Sequence, residues 1–109
     1  MGKRRIPEVQ SSGEIPTLLG KPVVETLDLH GKDAENAGRA VEMFLTRRAM
    51  TSPGAVVGII TGKGRRSDGG AVLLPLVGKL LQGRLAHFVA EFRIDRAGGG
   101  YLVLLASIR

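Results

Sequence analysis

Cysteine and tryptophan are absent from this chain of 109 residues, and aromatic residues make up only 4% of it. Without cysteine there is no disulfide, no thiol nucleophile and no thiolate metal site, so the fold holds by packing alone, which favours a reducing compartment. With so few aromatic rings, a base-stacking platform of the single-strand-binding kind is not supported. No apolar run approaches the roughly 18 to 20 residues that span a bilayer. The opening residues MGKRRIPEVQ also lack the apolar segment of a secretory signal. The expectation is a soluble cytoplasmic protein with no membrane partner. Acidic residues are in the minority as well, ten against sixteen Lys and Arg, which leaves a formal charge of +6 and a pI near 10.5. That balance points to a polyanionic partner such as nucleic acid, with charge serving solubility alone as the other reading.

What the chain does have is 43% hydrophobic residues, enough for one small domain with a single core. Residues 1–22 mix Lys, Arg, Glu, Ser, Gly and Pro without a hydrophobic period and read as a flexible basic arm, with the domain proper at 23–109. From Val23 the stretch VVETLDLHG has strand character, with Leu27 and Leu29 on one face and Thr26, Asp28 and His30 on the other. Asp33 is placed as a helix N-cap, and Ala37, Val41, Phe44 and Leu45 follow at helical spacing until TSPG ends the helix near Met50. AVVGIIT reads as a central strand and Leu73 to Leu81 as a second helix, with Pro75 tolerable only in its first turn. HFVAEFRI alternates, with Phe88, Ala90, Phe92 and Ile94 on one face, and YLVLLASI completes an antiparallel pair after RAGGG. The order βαβαββ predicts a two-layer α/β sandwich: a four-stranded mixed sheet with two helices on one face.

Three stretches carry candidate chemistry. IITGKGRRSDGG is not a Walker A loop: Gly58 and Gly62 are too close, and Gly64 stands where Ser or Thr should follow the lysine. Gly98 to Gly100 link two strands and open no helix, so they form no dinucleotide fingerprint. No nucleotide cofactor is expected. Gly62 and Gly64 do let a backbone approach another molecule, and Lys63, Arg65 and Arg66 concentrate charge at the end of a strand. The stretch fits either a phosphate cradle or a solvated β-to-α turn. In LDLHG, Asp28 and His30 share a strand face about 7 Å apart along the chain. An imidazole there can pass protons near neutral pH while the carboxylate orients it. The other reading has Asp28 capping the turn backbone and His30 as a half-exposed loop residue.

Taken together, LDLHG, IITGKG, GGAVLLPLVGKLL and AGGGYLVLL, in this order and spacing over Val23 to Ile108, resemble the Smr (small MutS-related) domain. The resemblance implies a nucleic-acid-binding module, in many members an endonuclease that nicks DNA or cleaves RNA. It also implies a βαβαββ fold in which the last strand inserts between the second and third. The family's D-x-H motif falls on Asp28 and His30, which would be catalytic. Its H-G-x-G loop falls on Thr61, Gly62, Lys63 and Gly64, and its late G-G-x-G motif on Ala97, Gly98, Gly99 and Gly100. Nucleic-acid contacts are therefore expected at Thr61, Gly62, Lys63, Gly64, Arg65, Arg66, Gly99 and Gly100. Thr61 stands in place of a histidine often found there, which removes a second imidazole. No metal ligands are fixed by the sequence, and use of a divalent ion is open. The rival is a non-catalytic nucleic-acid adaptor of the same fold, resembling the C-terminal domain of a bacterial translation initiation factor. A third class is a protein-interaction module with a basic face.

Overall fold

A computed structural model describes residues 17–62, 70–95 and 98–107. The elements are β1 (Thr17–Leu18), β2 (Lys21–Asp28), α1 (Ala34–Thr51), β3 (Val56–Ile60), α2 (Gly70–Gln82), a 3₁₀ turn (Ala86–Phe88), β4 (Val89–Ile94) and β5 (Gly100–Leu105). They form one five-stranded sheet ordered β1-β2-β3-β5-β4. The pair β2 and β3 is parallel, while β5 runs antiparallel to both β3 and β4. The last strand does insert between the two before it in the sheet, as the resemblance implies.

The sheet has five strands where four were expected. The extra strand comes from residues placed in the arm: Thr17 and Leu18 pair with Pro22 and Lys21. Leu18 is buried against Val56 and Leu102 on the sheet face that carries no helix. Arg93 of β4 donates to the Thr17 carbonyl at 2.6 Å, so the sheet curls and β1 lies over one end of that open face. A two-residue strand set among Pro and Gly has no periodicity to detect.

The opposite face carries both helices and the main core. Asp33 caps α1, its carboxylate accepting from the Asn36 amide at 2.8 Å. Ala37, Val41, Phe44, Leu45 and Ala49 then bury one stripe, of which the first four pack with Leu29 and with Val57, Ile59 and Val103 of the sheet. Ser52 closes the helix with its amide on the Arg48 carbonyl, and Pro53 cannot continue it. Arg48 also pairs with Glu25 of β2, tying helix to sheet. Helix α2 buries Leu73, Val77 and Leu81 on the same core. It begins at Gly70 rather than Leu73, so Pro75 lies past the first turn. The early residues precede the first core-facing leucine and show no apolar spacing. The expected alternation of β4 is also broken. Residues 86–88 form the 3₁₀ turn, and a register shift between Val89 and Glu91 turns Ala90 outward and leaves Ile94 51% exposed.

Tyr101 fastens α2 to the sheet. Its ring packs edge-on to Phe92, and its hydroxyl donates to the Leu74 carbonyl at 2.7 Å. Gly78 makes room for that bond, since a Cβ there would stand 2.6 Å from the hydroxyl oxygen. Gly78→Ala should therefore cost about 1–3 kcal/mol in chemical denaturation, as overpacking does, and should cost less in a Tyr101→Phe background where the obstructing oxygen is gone. Burial raises the Tyr101 pKa above its ordinary 10.0. The native state thus holds that proton more tightly than the unfolded chain. The associated stability is complete below pH 10.0 and is lost as pH rises through the higher folded value. Because Tyr101 is the only tyrosine and tryptophan is absent, phenolate absorbance reads this titration directly.

Candidate nucleic-acid site

The parallel strands β2 and β3 end side by side, and the turn between β4 and β5 meets them there. Leu29 continues the ladder past β2, its amide donating to the Ile60 carbonyl at 2.8 Å, while its side chain is fully buried. His30 follows as an exposed residue. Lys32 donates back to the Leu29 carbonyl at 3.0 Å, and Gly31 has φ +84°, which makes residues 29–32 a type II turn with glycine at its third position. A side chain at 31 would be strained there.

Asp28 reaches forward and not sideways. Its Oδ1 accepts from the His30 backbone amide at 2.9 Å, the side-chain-to-backbone bond that aspartate favours two residues ahead of an amide. Of the two readings open from sequence, Asp28 does cap the turn, and by doing so it fixes the backbone from which the imidazole projects.

The second component is the exit from β3. Thr61 is fully buried, and its hydroxyl points inward, 3.2 Å from the Gly62 carbonyl and 3.4 Å from that of Gly99. The amides of Thr61 and Gly62 both donate to the Gly99 carbonyl, at 2.8 and 3.2 Å. Gly62 has φ +105°, a conformation that glycine alone adopts easily. Gly100 pairs with Ile60, and a Cβ on it would run into the Ile59 carbonyl. The glycine loop and the late glycine motif, 38 residues apart, are therefore one hydrogen-bonded unit beside the His30 turn. Of the residues expected to contact nucleic acid, Gly62, Gly99 and Gly100 are brought to this end as backbone. Thr61 is there as an internal brace. Lys63, Gly64, Arg65 and Arg66 lie outside the described residues. The other histidine, His87, belongs to the 3₁₀ turn before β4 and so falls at the opposite end of the sheet.

Sequence reasoning missed Asp95. It directly follows β4, donates its amide to the Gly100 carbonyl at 2.9 Å and accepts from the Gly98 amide at 2.7 Å. Only the insertion of β5 brings it beside Ile60, and nothing local in the sequence marks that. Among the described residues no three of His, Asp and Glu come together as a metal-ligand cluster, and no helix is long and apolar enough to cross a membrane.

The molecule is thus a small two-layer α/β domain with an Asp-x-His turn beside paired glycine loops at one sheet end. The Smr domain matches residues 27–105, most of the chain, and the protein belongs to that family of nuclease-like, nucleic-acid-binding domains. No curated protein and no solved structure matches it.

The hydrogen bond from the His30 amide gives the Asp28 substitutions different expected outcomes. Asn at 28 keeps an acceptor oxygen and Ala removes it. For a nuclease, Asp28→Asn should thus retain cleavage within about tenfold of wild type, whereas Asp28→Ala should approach the loss expected for removing His30, because it frees the turn from which the imidazole projects. Equal, large losses in both variants would instead assign the carboxylate's charge to the chemistry.

Proposed function

We propose that the protein is an endonuclease that nicks or cleaves phosphodiester bonds in DNA, RNA or both, and that it works in the cytoplasm. The observation supporting this reading is the meeting of the Asp28–His30 turn with the Thr61–Gly62 and Gly99–Gly100 unit at one end of the sheet. His30, exposed and free to reach a ligand, transfers a proton: from the attacking water or ribose 2′-hydroxyl, or to the leaving oxygen. Asp28 is a positioning residue acting through the amide of His30. The chain leaves Gly62 directly into Lys63, Gly64, Arg65 and Arg66, whose charge suits a phosphate held next to the imidazole. With a 2′-hydroxyl as nucleophile only RNA is a substrate; with water both polymers are.

The adaptor reading rests on one specific observation. Position 61 holds a buried threonine with its hydroxyl turned to backbone carbonyls, so His30 is the sole imidazole among the described residues at this end. Incubation of the pure protein with labelled structured RNA and with supercoiled DNA, with and without chelator, decides between the two. Binding without cleavage of either polymer selects the adaptor.

Two results are expected of the nuclease. His30→Ala should lower the cleavage rate by about 10²–10⁴-fold, the usual worth of a positioned acid or base, while leaving affinity within a few-fold. Replacing Lys63, Arg65 and Arg66 together by Ala should weaken binding to all sequences alike and flatten the slope of log K against log salt by about 2 to 3. An unchanged slope would mean that these charges face solvent only.

A further inference from the structure

The helix-free face of the sheet holds a groove of about 300 Å³ that extends to Ile60, whose carbonyl accepts from the Leu29 amide at the start of the His30 turn. Val23, Thr26, Gly58, Ile60, Leu102 and Asp95 line it. At one end it is limited by β1, where Leu18 covers Leu102 and Arg93 is held on the Thr17 carbonyl. Its floor is low because Gly58 has no side chain; a Cβ there would stand 3.2 Å from the Thr26 hydroxyl and 3.7 Å from Val23. Ile60, 41% exposed, gives an apolar surface beside that floor. The volume lies at the lower end for ligand pockets, the size of a single heterocycle.

Thr26 and Asp95 are the polar residues of this lining, and the acid has the wrong sign for phosphate. Asp95 is a half-buried acid in a chain of net charge +6. Among the described residues its carboxylate takes part in no ion pair and no hydrogen bond, while its backbone is held on both sides by Gly98 and Gly100. A carboxylate accepts hydrogen bonds and gives none, so a ligand paired with it must bring donors, most favourably two in parallel. Among the bases, guanine offers that arrangement on its Watson–Crick edge, with a ring N–H beside an exocyclic amino group. Adenine, cytosine and uracil do not. The groove also lies at the right spacing from the reacting end: Thr26 precedes Asp28 by two residues on one strand face, about 7 Å along the chain, comparable with the reach from a phosphate to its own base.

We infer that this groove is a guanine-binding subsite, in which Asp95 accepts from the ring N–H and the amino group of an unpaired guanine while the ring lies over Gly58 and against Ile60. This rests on the nuclease or adaptor reading above, since either places a strand of nucleic acid at this end of the sheet. Reading of splayed-out bases by their Watson–Crick edges is how single strands are recognised without a groove code. A subsite that depends on buried donor and acceptor pairing discriminates strongly against a base lacking one partner.

The test uses the full chain and its Asp95→Asn variant, which keeps both backbone bonds of residue 95 and changes only what the side chain offers. Affinity is measured by fluorescence anisotropy for short single-stranded uridine oligonucleotides, and their deoxy equivalents, carrying one central guanine, hypoxanthine, adenine or cytosine. Hypoxanthine lacks only the exocyclic amino group. Guanine should bind about tenfold or more tightly than hypoxanthine, as expected for a hydrogen bond to a charged group. Asp95→Asn should erase that preference without changing affinity for the all-uridine strand. Where strands are cut, the cut should fall at a fixed position relative to the guanine. Equal affinity for the four bases, or a guanine preference that survives Asp95→Asn, overturns the subsite while leaving the nucleic-acid reading intact. Failure to bind any strand overturns both.

Discussion

The contact on which the arrangement depends is the approach of β5 to β3 at Gly100. No side chain can stand there, because the Ile59 carbonyl occupies the space a Cβ would take. That approach lets β5 enter as a central strand, antiparallel to both neighbours, and puts the β4–β5 turn beside the exits of β2 and β3. The Gly99 carbonyl then accepts from two successive amides of the β3 exit. Moving β5 outward by the width of a methyl group would weaken these bonds and separate Asp95 from the open face. The geometry of that end of the sheet is thus set by backbone packing at Gly100.

Much of this architecture is legible in the residues, and what is not has physical reasons. Helix α1 is written in full: an N-cap aspartate, an apolar stripe at Ala37, Val41, Phe44 and Leu45, and a Ser-Pro-Gly stop. The apolar run of β3 marks it as central, and Val56, Val57, Gly58 and Ile59 are buried there. By contrast, β1 consists of two residues whose only buried side chain is Leu18, and no period exists in so short a segment. The alternation of HFVAEFRI suggests a regular strand, yet a bulge near Ala90 changes which face each residue meets; alternation reports preference, and the register with β5 decides. At the site, the shared face of Asp28 and His30 is visible from spacing, but the choice between imidazole and amide as the partner of Asp28 belongs to the turn geometry that Gly31 allows. At Thr61 the motif marks the position, while only the fold shows that its side chain is interior and near two backbone carbonyls.

Electrostatically the molecule separates its tasks. The positive charge needed for a polyanion is concentrated in the sequence just after Gly62. The acids near the candidate site do other work: Asp28 holds an amide and Asp95 faces a groove. Farther back, Glu25 holds Arg48 of α1. In a basic protein, acids near the intended phosphate position work against binding unless each has a local partner or a purpose of its own.

The type II turn around His30 bears on time as well as position. Leu29 is locked in the core on one side, and Asp33 is bound to the first turn of α1 on the other, so the intervening backbone has little freedom to wander. What is left to His30 is rotation about its own side-chain torsions, which for an exposed residue takes picoseconds to nanoseconds. Loop rearrangements take far longer and can limit turnover in enzymes that close over their substrates. An imidazole carried on so short and doubly anchored a span samples its orientations many times during one encounter, so its readiness is settled before the strand arrives.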